Sequence, residues 1–231
     1  RVYQADLMVN SGMLEFAQAV ATLPPVDSTR WRDWTHQARN DYLENLLHGT
    51  MPGRLDLGQV MDYLRRRLPE TSILTNGAGN YSGWVQRFYQ YTGFRTQLAP
   101  TNGAMGYGVP SAIAAKLVHP DRMVISFSGD GCFMMNGQEL ATAAQYRLPV
   151  LFIVVNNGMY GTIRMHQERD FPARVYATAL ENPDFVALAR AFGMHGELVE
   201  QTPDFEPAFE RAVATGKPAL LELRIDPEAI T

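Results

Sequence analysis

The stretch SGDGCFMMNGQELATAAQYRLPVLFIVVNNGMYG, residues 128–161, decides the fold. The apolar run leading into it, residues 123–127, stops at an acid held between two glycines, Gly129, Asp130 and Gly131. A second apolar run, residues 150–155, stops at two amides, Asn156 and Asn157. Short apolar runs bounded by turn residues predict strands buried on both faces. The segment between the two endings has room for one helix and the next strand, which is what a parallel crossover requires. In open parallel sheets ligands bind outside the carboxyl ends of the strands. Asp130 and Asn157 are therefore expected to converge on one point.

The rest of the chain alternates in the same way. Helices are expected at residues 56–68, 81–91, 138–146 and 205–214, and strands at 72–76, 197–200 and 219–225. A glycine-rich loop, residues 102–108, opens another helix with Pro110 in its first turn, and that helix stops at His119 and Pro120. Asn182 and Pro183 are expected to cap a helix that closes at Gly193. The fold class that follows is α/β, a parallel sheet of about six strands with helices on both faces. Residues 1–53 read differently. A strand is expected at 2–9, a helix at 12–21, a proline linker at 23–27 and a helix at 28–47 with Trp31, Trp34, Ala38, Tyr42 and Leu46 on one face. The main domain is then residues 54–231, after a break at 49–53.

The formal net charge of −4 gives no footprint for nucleic acid. The basic run Arg65, Arg66 and Arg67 falls at a helix end, where cations complement the dipole. A single cysteine, Cys132, excludes an internal disulfide and fits a reducing compartment, the cytoplasm. No apolar stretch is long enough to span a bilayer, and no signal peptide is visible. The first residue is Arg1 rather than Met, and the opening residues read as the middle of a fold, so a fragment of a longer protein is expected.

A carboxylate and an amide oxygen are hard ligands, suited to Mg²⁺ or Ca²⁺ rather than Zn²⁺. Two side chains are too few for a complete shell, and Mg²⁺ usually completes its octahedron with waters and phosphate oxygens. Gly129 and Gly131 let backbone N–H groups approach an anion, and a helix starting near Asn136 would add a positive dipole end. Alone, either Gly-Asp-Gly or Asn-Asn-Gly is an ordinary turn. Their pairing across one strand-helix-strand unit is far more specific.

That pairing, together with TNGAMGYGVPSAIAAKLVHPDRMVISFSGDGCFMMNGQELATAA at residues 101–144, resembles the thiamine-diphosphate-dependent enzymes of the acetolactate synthase and pyruvate decarboxylase superfamily. The resemblance covers roughly residues 54–225, and residues 1–21 look like the end of that family's central domain. It implies thiamine diphosphate and Mg²⁺ as cofactors. Asp130, the Asn157 side chain and the backbone carbonyl of Met159 would hold the metal. Backbone N–H groups of Gly131 and Cys132, and those near Met159 and Tyr160, would hold phosphate oxygens, with Gly129 and Gly103 in the flanking loops. Asn80 would contact the diphosphate, with Tyr81 beside it where synthases usually carry Gln-His. Met105 matches the apolar wedge that bends the cofactor. His166 stands where synthases usually carry Trp, and Thr162 where they carry Met. His166 is thus a candidate to bind a polar acceptor or donate a proton, against the plainer reading of a solvated imidazole. Cys132 lacks an evident base and reads as a small residue beside the phosphates. Met134, Met135 and Met159 read as apolar packing.

The activity implied is carboligation or decarboxylation of 2-keto acids such as pyruvate, acetolactate synthase-like. The alternatives are a simple 2-keto acid decarboxylase or an acyl-CoA lyase relative. A rival of another class is a non-catalytic Mg²⁺–diphosphate or nucleotide-binding domain, against which the glycine spacing in NGAGNYSG, residues 76–83, argues. The implied partner is the pyrimidine-binding domain of a second subunit, carrying the activating Glu, in a homodimer or homotetramer.

Overall fold

The computed structural model describes residues 2–229. The chain forms two compact units, one ending at Asn45 and one starting at Leu46. The first contains helix α1, Met13–Ala21, a 3-10 turn at Ser28–Trp31 and helix α2, Arg32–Asn45. Asp27 starts the 3-10 turn by accepting from the Thr29 N–H at 3.0 Å and its hydroxyl at 2.7 Å. Neither helix buries a residue, so the tryptophan face predicted for α2 stands exposed. The strand expected at residues 2–9 is absent, and that segment is irregular. It has no neighbouring strand in its unit to pair with.

The second unit is the α/β domain. Its elements are α3 (Leu57–Arg67), β1 (Ile73–Asn76), α4 (Asn80–Gly83), β2 (Gln97–Leu98), α5 (Gly108–Val118), β3 (Val124–Gly129), α6 (Asp130–Phe133), α7 (Leu140–Gln145), β4 (Val150–Asn156), α8 (Gly161–Asp170), α9 (Phe185–Ala191), β5 (His195–Val199), α10 (Thr202–Ala214) and β6 (Ala219–Arg224). The six strands lie in the order β2-β1-β3-β4-β6-β5, every pair parallel. The order reverses between β1 and β3, the kind of switch point at which doubly wound sheets open a crevice.

Strand alternation divides the core. Leu151, Ile153 and Val155 of β4 join Phe127, Phe205 and Phe209 on one face. Val150, Phe152 and Val154 join Phe133, Phe185 and Leu220 on the other. Each fully buried Phe contributes roughly 1.5–3 kcal/mol of transfer free energy. Residues 46–53 pack with this unit: Met51 is buried, and its sulfur accepts from the Leu57 N–H at 3.2 Å.

Three local expectations change. The helix expected at 81–91 is the short α4 followed by a π-helical turn, Trp84–Phe88. Helix α9 is capped by Asp184, whose carboxylate accepts from the Ala187 N–H at 2.8 Å, and not by Asn182 or Pro183. Asp184 has the oxygen at the right offset, and Asn182 is engaged elsewhere. Helix α8 and the two-residue β2 carry no periodic signal in the sequence and add to the expected elements. Among the described residues no helix is long and apolar enough to cross a membrane.

Candidate functional site

The strand register builds the site. Gly129 of β3 lies beside Val155 of β4, so Asp130 and the two asparagines leave the sheet side by side. Gly158 then turns the chain with φ of 69°, a left-handed conformation that suits glycine. This turn separates Asn157 from Met159, and the Asn157 Oδ1 accepts from the Met159 N–H at 3.3 Å.

A cavity of about 260 Å³ opens at this edge. Asn80, Tyr81, Gly103, Met105, Gly129, Asp130, Gly131, Cys132, Asn157, Met159 and Tyr160 all line it. His166 does not. It is exposed on α8, outside the lining. The lining also includes Trp84, Thr162 and Ile225.

Asp130 is 2% exposed and is the sole charged side chain lining the cavity among the described residues. Its Oδ1 accepts from the Gly131 N–H at 2.9 Å. Its Oδ2 accepts from the Gly158 N–H at 2.9 Å and from the Asn182 amide at 2.7 Å. Burial pushes the carboxyl above the usual carboxylate range, and these hydrogen bonds, with one from Met159, pull it back. A cation at this carboxylate would offset the desolvation. The donors on offer are one carboxylate, amide oxygens and backbone carbonyls, and no group of three or more His, Cys, Asp or Glu side chains lies together among the described residues. This is a hard-cation set that fits Mg²⁺ completed by phosphate oxygens, and not a zinc set.

Tyr81 ties the loops around the cavity together. Its hydroxyl donates to the Cys132 sulfur at 3.0 Å and accepts from the Gly77 N–H at 3.1 Å. The Gly106 N–H also donates to that sulfur, at 3.1 Å. Burial holds the Tyr81 phenol far above its ordinary pKa, so it stays neutral. A Cβ at Gly129 would strike the Tyr81 ring at 2.6 Å, and one at Gly131 would strike Tyr160 at 2.6 Å. Both glycines are thus demanded by tyrosine packing as well as by any anion. Cys132 is buried with hydrogen-bond donors around it, an environment for packing rather than for nucleophilic attack.

Asn80 is clamped from α8. Its N–H donates to the Thr162 hydroxyl at 2.9 Å, and that hydroxyl donates to the Asn80 Oδ1 at 2.8 Å. Across the mouth, Met159 bridges Ala179, and the Tyr160 N–H donates to the Thr178 carbonyl at 2.8 Å. Tyr160 therefore offers the cavity its ring, its N–H being engaged. The dipole expected near Asn136 falls elsewhere: Asn136 gives its amide to the Gly106 carbonyl at 2.9 Å and lies outside the lining.

Sequence reading missed Asn182 and the clamping role of Thr162. Asn182 reaches Asp130 from the loop before α9, and no local spacing marks it.

Residues 77–223 match the family model described as thiamine pyrophosphate enzyme, C-terminal TPP binding domain. The chain is 31% identical over 205 residues to the acetolactate synthase isozyme 2 large subunit of Escherichia coli K12, covering 87% of this chain and 37% of that protein. It is 36% identical over 156 residues to acetolactate synthase of Arthrospira platensis, covering 67% of this chain and 27% of that one. A solved structure, the thiamine diphosphate-dependent 4-hydroxybenzoylformate decarboxylase of Rhodococcus jostii RHA1, superposes with a TM-score of 0.70 at 31% identity, covering 78% of this chain and 35% of that one. The chain thus spans well under half the length of these relatives.

Proposed function

The chain belongs to the thiamine pyrophosphate enzymes, as their C-terminal TPP binding domain, and from that premise we propose that it serves an acetolactate synthase-like enzyme that decarboxylates a 2-keto acid and joins the product to a second one. The observation that carries this reading is Asp130. A buried carboxylate, flanked by Asn157 and the Met159 loop, is the only charge lining a cavity otherwise neutral among the described residues. A diphosphate cannot rest against that carboxylate without a cation between them, and Mg²⁺ supplies it.

Asp130, Asn157 and the Met159 carbonyl would hold the metal, and Asn80, pinned by Thr162, would hold a phosphate oxygen. Met105 would press on the cofactor from the glycine-rich loop. Bound here, thiamine diphosphate supplies the electron sink that decarboxylation of a 2-keto acid requires. The chain's own contribution is to fix the phosphate end, exclude water with Trp84 and Ile225, and leave the other wall for a partner. That partner is the pyrimidine-binding domain of a second subunit, with its activating Glu, in a homodimer or homotetramer. A reducing, cytoplasmic setting belongs to the same reading, and Cys132 is a free thiol.

The Rhodococcus decarboxylase, as similar in sequence as the E. coli synthase, favours a second reading in which no acceptor is used. Product analysis separates the two. The full-length protein, supplied with pyruvate, thiamine diphosphate and Mg²⁺, is expected to form 2-acetolactate. Acetaldehyde alone would establish the decarboxylase reading. No consumption of pyruvate or of any other 2-keto acid, with the cofactor bound, would leave a non-catalytic binding domain.

A further inference from the structure

On the side of β4 away from the cofactor cavity lies a buried acid that the proposed chemistry does not use. Glu222, near the carboxyl end of β6, is 2% exposed. It pairs in register with Val154 of β4, and Arg224 pairs with Asn156. Its neighbours Val154 and Leu220 belong to the apolar core of that face. A carboxylate among such residues is unfavourable unless it is firmly hydrogen-bonded, and an apolar side chain would pack there without that penalty.

Its bonds lead to the site. The Glu222 Oε1 accepts from the Asn156 amide at 2.8 Å. The Asn156 Oδ1 in turn accepts from the Asn182 amide at 3.0 Å and from the Gly158 N–H at 3.0 Å. Those same two donors serve the Asp130 Oδ2, at 2.7 and 2.9 Å. Asn156 and Asp130 therefore share both donors between one amide oxygen and one carboxylate oxygen.

Amide orientation is the weak point of this arrangement. An Asn156 turned over by half a revolution would aim its NH₂ at the Asn182 NH₂ and the Gly158 N–H, donor against donor. An acceptor on the far side fixes the same orientation from the NH₂ end, and Glu222 is that acceptor. Arg224 reaches Glu222 at 3.1 Å but is also held by Glu200 at 2.9 Å, and Arg224 is about half exposed. The surface pair does not account for the burial of Glu222.

We propose that Glu222 is a positioning residue for the metal site, setting the Asp130 carboxylate through Asn156 and Asn182. The inference rests on the reading of Asp130 as a metal ligand. It extends that reading to a residue that touches neither metal nor cofactor.

The test is Mn²⁺ binding by the full-length protein with thiamine diphosphate, followed by the electron paramagnetic resonance of free Mn²⁺. Removing a direct hydrogen-bond partner of a metal ligand typically lowers metal affinity about 10–100-fold, and Glu222 acts at one remove, so Glu222→Ala is expected to raise the Mn²⁺ Kd about tenfold, the low end of that range. Glu222→Gln keeps an acceptor for Asn156 and is expected to stay within about threefold of the unsubstituted protein, although it too loses the charge. Arg224→Met, which removes the ion pair but not the amide contact, should leave the Kd unchanged. A Glu222→Ala protein that binds Mn²⁺ as the unsubstituted one does, or a Glu222→Gln protein as weak as Glu222→Ala, overturns the proposal and leaves the cofactor reading standing. Absence of Mn²⁺ binding by the unsubstituted protein overturns both. Should Glu222→Ala not fold, Glu222→Leu, which fills the apolar site but offers Asn156 no acceptor, carries the same test: a weakened Kd supports the chain of contacts, and an unchanged Kd contradicts it.

Discussion

Asn156 and Asn157 are the same residue twice, at the end of one strand, and they face different surroundings. Asn157 lines the cavity of about 260 Å³ beside Asp130, among mostly apolar and neutral groups. Asn156 lines a second cavity, of about 490 Å³, with Asn182, Glu222 and Arg224. Strand alternation separates them, since successive side chains leave a strand on opposite faces. The lesson is that a paired-amide motif carries two tasks. One amide is available to a ligand, and the other is consumed inside the protein, tying the end of β4 to β6 and to the loop before α9.

The largest expected effect lies on the cavity side. Asp130→Ala removes the only charged group of the lining among the described residues, and thiamine diphosphate affinity in Mg²⁺ should fall on the order of 100-fold or more, because the cation loses its anionic ligand. Calorimetry on the full-length protein reads this directly.

The two asparagines then separate by their effect on stability. Asn157→Ala should weaken cofactor binding about tenfold and move the melting temperature little, since its loss strands no buried charge. Asn156→Ala should destabilise the fold by about 1–3 kcal/mol, because the buried Glu222 loses its amide partner. Paired denaturation and binding curves check this. If both substitutions cost stability equally, the division of labour between the two amides is wrong.

The ligand-facing half of this division, Asn157 beside Asp130, was legible in the sequence. The two strands and their polar endings stand out because β3 and β4 are short, continuous and apolar, and because parallel pairing of neighbours leaves little choice of register. Of the eleven lining residues, Gly129, Asp130, Gly131 and Asn157 follow from motifs at strand ends, while Asn80, Tyr81, Gly103, Met105, Cys132, Met159 and Tyr160 come from the family resemblance. The rest depends on contacts between distant segments. Asn182 looked like a helix cap because Asx residues before an apolar run usually are, yet Asp184 two residues on takes that role and frees Asn182 for Asp130. Glu222 reads as one polar residue in a strand, with nothing in its neighbourhood to mark its partner 66 positions away. His166 was placed by resemblance alone, and helix α8 turns it outward. Residues 2–9 have strand-like composition, but composition cannot supply a pairing strand.

A smaller effect is expected on the loops that frame the cavity. Tyr81→Phe deletes the hydroxyl between the Gly77 N–H and the Cys132 sulfur and should cost about 1–3 kcal/mol of stability, with cofactor affinity changed far less than by Asp130→Ala. Urea denaturation measures it.

The smallest concerns His48, which lines neither cavity. The Asp62 hydrogen bond raises the pKa of His48 above 6.5. A raised histidine pKa contributes stability that is fully present below 6.5 and is lost as pH rises through the folded-state value. Melting temperatures should therefore fall slightly more steeply above pH 6.5 in the unsubstituted protein than in His48→Gln. Identical slopes would show that the pair is screened by solvent.

In the proposed function a cation joins Asp130 to a diphosphate. Calorimetric titration of thiamine diphosphate into the metal-free full-length protein, with Mg²⁺ and again with a chelator, tests it most directly. Saturable binding that requires Mg²⁺ and disappears in Asp130→Ala is the predicted result. Equal affinity with and without Mg²⁺, or an Asp130→Ala protein that binds as well as the unsubstituted one, would rule out a bridging cation at Asp130.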